Sequence, residues 1–183
     1  RYFEFDKGII TLMYHRFDEQ KYPSTNIQLS IFKEQIELIE KLNINFLNPK
    51  DFGKNYTKVN NKKTILITID DGFQSFYEKA WPYLKDKKIP FLLFISTEAV
   101  GKNGYMNWNQ IIEVEKSGLG IIGNHSHTHD YLADLDNNET IFDIEKSINI
   151  FKNKLGYNPI YFSYPFGEYS ASLKKIIKNY NFK

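Results

Sequence analysis

Short runs of consecutive apolar residues alternate along this chain with segments whose apolar positions recur every three or four residues. The runs are "GIITLMY" from Gly8, "INFL" from Ile44, "TILITI" from Thr64, "PFLLFIS" from Pro90, "LGIIG" from Leu119 and "IYFSY" from Ile160. Most place β-branched or aromatic residues on both faces without polar alternation, the pattern of strands buried on both sides. Between them lie helical patterns. In "NNETIFDIEKSINIFKNKLGYNP" the residues Ile141, Ile144, Ile148, Phe151 and Leu155 share a face, and Gly156 followed by Pro159 marks the stop. Ser30 is the expected N-cap of "IFKEQIELIEKLN", with Phe32, Ile36 and Ile39 on one stripe. "QSFYEKAWPYLKDKK" reads as helix, with Pro82 starting a new turn or a kink. "WNQIIEVEKSG" and "SLKKIIKNY" follow the same pattern.

Strand and helix in alternation predict an α/β fold with a mainly parallel sheet, open or closed into a barrel. In such folds chemistry collects in the loops after the strands' carboxyl ends. Four polar clusters stand there: "MYHRF", "DDG", "NHSHTH" and "YPFGEY".

A length of 183 residues suits one domain, since a chain of this size buries roughly two thirds of its unfolded surface. With 24 Lys and Arg against 22 Asp and Glu and no basic block, the charge pattern is not that of a nucleic-acid binder. Cysteine is absent, so any metal must be held by nitrogen and oxygen. No apolar run reaches the ~18 residues of a membrane span, and no signal-peptide core is present. The first residue is Arg1 rather than Met, which points to a processed or trimmed chain. Oligomeric state has no signature in the sequence.

Asp70 and Asp71 end an apolar strand. Asp-Gly is a common turn signal, but two adjacent carboxylates buried together are a costly way to make a turn. In a regular strand they would point to opposite faces, a constraint that Gly72 can relax. Three of the chain's four histidines, His125, His127 and His129, alternate within one stretch. On an extended strand all three share a face, whereas on a curled turn His125 and His129 pair and His127 points away. Two histidines with a carboxylate from another strand end make a three-ligand set with coordination positions left open, as in catalytic zinc sites.

"TIDDG", "NHSHTH" and "FSYPFG", in that order, resemble the first three motifs of the polysaccharide deacetylases, carbohydrate esterase family 4 or NodB-homology domain. "MYH" further resembles the circularly permuted subgroup acting on poly-β-1,6-N-acetylglucosamine. The resemblance implies a distorted (β/α) barrel, incomplete at its C-terminus, over a single truncated domain at 1–183. It implies a metal-dependent hydrolase, with zinc as the divalent ion, removing N-acetyl groups from an N-acetylglucosamine polysaccharide outside the cytoplasm. By the family's pattern Asp70 is the base, and Asp71, His125 and His129 are metal ligands with His127 a bystander. The backbone N–H of Phe166 faces the oxyanion. Ser163 stands where the family has an arginine that orients and charge-balances the base. No C-terminal acid motif follows, so His15, otherwise a core histidine by its place on an apolar strand, is expected to protonate the leaving amine without binding the metal. Trp108, Tyr131, Tyr164 and Pro165 are expected to contact sugar, and Tyr105 and Tyr169 lie in or near the same loops. Two alternatives stay open: a glycan-binding module that has lost catalysis, and a metal hydrolase of O-acetyl esters or other amides.

Overall fold

The computed structural model describes residues 8–52 and 63–182, so Arg1 and Lys183 lie outside the described part. In chain order the elements are β1 (Gly8–Tyr14), β2 (Arg16–Phe17), β3 (Asn26–Ile27), α1 (Leu29–Lys41), β4 (Asn45–Phe46), a 3-10 turn (Pro49–Asp51) and β5 (Lys63–Ile69). A π-helical turn (Phe76–Ala80) then runs into α2 (Trp81–Lys87), followed by β6 (Phe91–Ile95), α3 (Trp108–Lys116) and β7 (Gly120–Asn124). The chain ends with α4 (Asn137–Leu155), a second 3-10 turn (Pro165–Gly167) and α5 (Ala171–Asn179).

The main sheet is parallel throughout, in the order β1-β5-β6-β7. β1 pairs along the whole of β5, so β4 and β6 must share its other edge. β4 takes Thr64 and Ile65, and β6 takes Thr68 and Ile69. The strand expected at "IYFSY" shrinks to a single parallel bridge between Phe162 and Asn124. Its ladder is two bonds, Asn124 N–H to Tyr161 O and Ser163 N–H to Asn124 O, before Pro165 turns the chain.

Alternation along the strands sorts the sheet's two faces. Ile65, Ile67, Ile69, Phe91, Leu93, Ile95 and Ile122 face outward onto the apolar stripes of α1, α2, α3 and α4, including Phe32, Ile36, Trp81, Leu84, Ile111, Val114 and Phe151. The opposite face holds a smaller cluster of Leu66, Leu92, Phe94 and Tyr161 with Ile9 and Ile121 beside it. A flat sheet would put β5 and the Tyr161–Ser163 segment three strand spacings apart, about 14 Å. Instead the Ser163 hydroxyl lies 3.4 Å from Asp70 Oδ2. The sheet therefore curls around the smaller cluster into a distorted barrel, and the residues one step beyond that cluster, Asp70, Ser96, His125 and Ser163, form a polar layer at its mouth.

One helix detail differs from expectation and one agrees with it. Ser30 is the second residue of α1, not its cap. The first helical N–H, of Leu29, is satisfied by Asp18 Oδ1 at 2.8 Å, a residue too distant in sequence for a local capping signal. Pro82 lies in the first turn of α2, and the π turn immediately before it supplies the wider turn that its ring and missing N–H require.

Gly123 is one of the tight points of the interior. A Cβ there would lie 2.4 Å from Cδ1 of Phe94, whose ring lies below His125 at 6.3 Å between centroids. Gly123→Ala should therefore lower unfolding free energy by about 1–3 kcal/mol through overpacking. Phe94→Leu in the same background should recover most of the loss in denaturant melts.

Candidate active site

Asp70 continues the ladder of β5, its N–H bonded to Tyr14 O at 2.9 Å. Asp71 then leaves the strand with φ 72°, and Gly72 follows with φ 68°. Two successive left-handed residues cancel the pleat, so both carboxylates face one cavity. The sequence attributes that freedom to Gly72 alone, but Asp71 carries half of the turn.

The second strand end is built from more parts. His125 N–H bonds Ile95 O at 3.0 Å, the Ser96 hydroxyl bonds His125 O at 2.8 Å, and Asn124 Oδ1 accepts the Ser126 N–H at 2.8 Å. Ser126 (φ 69°) and His129 (φ 62°) are both left-handed, and the His129 N–H closes onto Ser126 Oγ at 3.0 Å. This curl brings His125 and His129 together and turns His127 away, where its Nδ1 meets Thr97 Oγ1 at 2.8 Å. The extended alternative, with all three histidines on one face, does not occur.

The buried carboxylate of Asp143, on α4, holds this loop from behind. It accepts the His127 N–H at 2.8 Å, the Thr128 N–H at 2.9 Å and the Thr128 hydroxyl at 2.7 Å. One turn later Ser147 accepts the Asn124 amide at 2.8 Å. Neither residue figures in the sequence reading. The available signal was a buried-face carboxylate: Thr140, Asp143 and Ser147 interrupt the apolar stripe of α4 at its own spacing, and a helix buries such groups only when they are bonded.

Asp71 Oδ1 lies 3.1 Å from His129 Nε2 and 3.5 Å from His125 Nε2. It is buried and takes no hydrogen bond of good alignment, nor does the buried Asp70 Oδ1. His125 Nδ1 sits 2.8 Å from the Ser163 carbonyl, which can only accept; Nδ1 is thus the protonated nitrogen, and the Nε2 lone pair faces Asp71. Burial pushes His125 down to about 4, so it is neutral near pH 7. Burial opposes charge on both His129 and Asp71, yet their proximity outweighs it, raising the imidazole and lowering the carboxyl. Three donor atoms within 4.8 Å of one another, one an orphaned carboxylate oxygen and one a lone pair of fixed tautomer, fit a divalent cation of borderline hardness such as zinc. Asp70 stands beside them, pushed up to about 7 by burial and by the charge of Asp71.

These groups open into a cavity of about 340 Å³, lined also by Met13, His15, Thr25, Tyr164 and Phe166. His15 is thus at the same rim, half-buried, and burial lowers its pKa below the ordinary histidine value, against the opposing charge of Asp71. Phe166 (φ 59°) stacks face to face on Tyr131 with centroids 3.9 Å apart and meets the His129 ring edge-on at 4.7 Å. Both stacked rings are about half exposed, forming an aromatic rim. Tyr169 packs on Tyr164 at that rim. Pro165 is buried beneath the turn and lines neither this cavity nor the one next to it. Trp108 must be corrected. It packs edge-on against Phe151 in the outer core, at 5.8 Å and 90°, because it opens α3 on the side that faces α4.

A family model described as polysaccharide deacetylase matches residues 57–183. Over 152 residues the chain is 31% identical to the poly-beta-1,6-N-acetyl-D-glucosamine N-deacetylase of Staphylococcus epidermidis, an alignment covering 74% of this chain and 52% of that protein. The enzyme of the same name from Staphylococcus aureus (strain N315) is 28% identical over 173 residues, covering 86% and 59%. The chain thus spans about half the length of these curated relatives. Among solved structures, IcaB from Ammonifex degensii matches with a TM-score of 0.84 and 29% identity, covering 96% of this chain and 82% of that one. The Streptococcus pyogenes deacetylase PplD, solved in complex with acetate, matches in fold with a TM-score of 0.85 at 22% identity, covering 95% and 80%.

Two outcomes follow from the site's construction. Asp143→Ala should leave three donors of the histidine loop without a partner, costing about 3 kcal/mol or more. It should also weaken binding of added Zn2+, measured by competition with a chromophoric chelator. The second concerns Asp70. Its folded-state pKa, about 7, exceeds the ordinary carboxyl value of 3.8, so the folded state binds the proton more tightly and metal-free stability falls as pH rises from about 4 to 7. Asp70→Asn removes that loss. Metal-free melts should show no difference from wild type near pH 4 and a stabilised variant above pH 7, by a few kcal/mol at ~1.4 per unit.

Proposed function

The chain belongs to the polysaccharide deacetylase family, and from that premise we propose that it is a metal-dependent hydrolase removing N-acetyl groups from an N-acetylglucosamine polymer outside the cytoplasm. The observation that carries this reading is the convergence of Asp71 Oδ1, His125 Nε2 and His129 Nε2 on one point, with Asp70 beside it and an open cavity above. Asp71, His125 and His129 would hold zinc or a similar ion, which would supply Lewis acidity toward the acetamide carbonyl and the attacking water.

Asp70, ionised, accepts the water's proton as its oxygen attacks the acetamide carbon. Its carboxylate is oriented by the Ser163 hydroxyl on one side and has its second oxygen free of protein donors. Negative charge gathers on the former carbonyl oxygen, where the Phe166 N–H adds a donor held in place by the left-handed turn. Collapse of the tetrahedral intermediate breaks the C–N bond, and His15 delivers the proton that lets the sugar amine leave. Acetate and a free amine are the products. The Tyr131–Phe166 platform and Tyr164 give the sugar ring its apolar wall.

Ser163 favours a second reading, a glycan-binding module of slow or absent catalysis, since among the described residues no arginine is paired with Asp70.

The test is acetate release from β-1,6-linked N-acetylglucosamine oligomers by the zinc-loaded protein. Release should stop on chelation and fall by about 10²–10⁴ in Asp70→Asn with zinc retained. Alanine at Asp71, His125 or His129 should abolish zinc binding, and His127→Ala should keep it. His15→Ala should keep the metal and lose far more rate on N-acetyl substrates than on activated O-acetyl esters, whose leaving groups need little protonation. Tight oligomer binding without acetate would select the binding-module reading, and turnover of esters alone would select an esterase.

A further inference from the structure

A second cavity, of about 420 Å³, adjoins the first and shares Thr25, Asp71 and His129 with it, so a ligand occupying both must pass the cation site. Its volume lies in the range of pockets that enclose a small organic group. The walls combine aromatic rings, Tyr22, Phe73 and Tyr105, with the hydroxyls of Ser24 and Ser96. That mixture of apolar faces and short hydrogen-bonding groups suits a sugar ring, apolar on its C–H faces and polar at its edge.

One wall carries a built cation. Arg16 lies over the Phe73 ring with Cζ 3.5 Å from its centroid, and 4.4 Å from that of Tyr22. Its Nη1 is held by Glu19 Oε2 at 2.7 Å, and Glu19 Oε1 in turn takes the Ser75 hydroxyl at 2.6 Å. Glu19 does not line the cavity, and Asp71, which does, lies against His125 and His129 at the cation site, so the charge this wall presents to a ligand is the guanidinium. At the rim Lys102 is paired with Glu98 at 3.3 Å and leaves the balance unchanged. A guanidinium only donates hydrogen bonds and keeps its charge.

Resting on the deacetylase reading, we infer that this cavity seats the sugar unit next to the one being deacetylated, and that Arg16 selects a neighbour still bearing its acetamide over one already converted to the amine. An acetamide offers a neutral carbonyl acceptor. The product amine, like a chain α-amino group, carries a proton below about pH 7.7 and meets a like charge. The enzyme then leaves spaced amines along the polymer rather than blocks.

Binding decides this without turnover. The probes are the fully acetylated β-1,6-linked N-acetylglucosamine trimer and the same trimer acetylated only at its middle unit. They are titrated calorimetrically into zinc-loaded Asp70→Asn protein at about pH 6. The acetylated trimer should bind about tenfold or more tightly, the size of one hydrogen bond to a charged group. The gap should narrow above the amine's pKa, close in Arg16→Gln and persist in Arg16→Lys. Equal binding of the two trimers, no binding of either, or an unchanged gap in Arg16→Gln would overturn the inference. Should Arg16→Gln fail to fold, Ser24→Trp, at an exposed position of the wall, should reduce acetylated-trimer affinity to that of the monosaccharide; unchanged trimer affinity would overturn the inference equally. Absence of acetate release by wild type overturns the deacetylase reading alone and leaves this comparison standing.

Discussion

The mouth of this barrel is governed by one electrostatic constraint: two adjacent carboxylates, each with a buried oxygen that no well-aligned donor satisfies, face a pair of imidazoles. Each such oxygen costs the folded protein free energy that the surrounding structure must supply. The disposition of the rest follows. Ser163 gives its carbonyl to His125 and its hydroxyl to Asp70, Ser96 ties the His125 carbonyl, and Asp143 gathers the donors of the loop behind. Among the described residues, what remains unsatisfied at the mouth is one oxygen of Asp70 and the point where Asp71, His125 and His129 meet, and a cation would relieve the latter.

Part of the backbone strain lies at the same place. Of the nine described non-glycine residues with left-handed φ, Asp71, His129 and Phe166 line the cavity and Ser126 stands in the histidine loop beside it. Each such residue costs on the order of 1 kcal/mol or more and persists only where neighbours over-determine it. Here the neighbours can be named: the Asn124 and Ser126 side chains brace the histidine turn, and the Tyr131 ring lies flat on Phe166. Outside the site the chain is ordinary, a parallel sheet with apolar strands and one-sided helices.

Much of this was legible in the residues alone. Unbroken apolar runs announce the strands, so β1, β5, β6 and β7 stand where the pattern places them, and polar residues at their carboxyl ends mark the cavity; β1, however, is an edge strand with Ile10 and Met13 exposed and is not buried on both faces. Features that depend on distant partners were not legible. The cap of α1 comes from Asp18 across a turn, so Ser30 was a false signal. Trp108 sits near the motifs in sequence but packs on Phe151, forty-three positions later in the chain. Asp143 was hidden for a related reason. It lies fourteen positions after His129, and although its place among the buried positions of α4 marks it as bonded, nothing local says that its partner is the histidine loop.

The grip of Asp143 and Ser147 on the histidine loop makes α4 more than a covering helix. Its far side packs through Ile144 and Ile148 on Leu173 and Ile177 of α5, so the ion-binding loop, α4 and α5 are joined in one mechanical chain. Whatever favours the ordered loop must favour the docked helices by the same free energy, and the reverse holds equally. Backbone amides of α5, which touch no part of the cavity, should therefore exchange their hydrogens more slowly when the ion is bound. The C-terminal helix thereby becomes a distant reporter of what the barrel mouth contains.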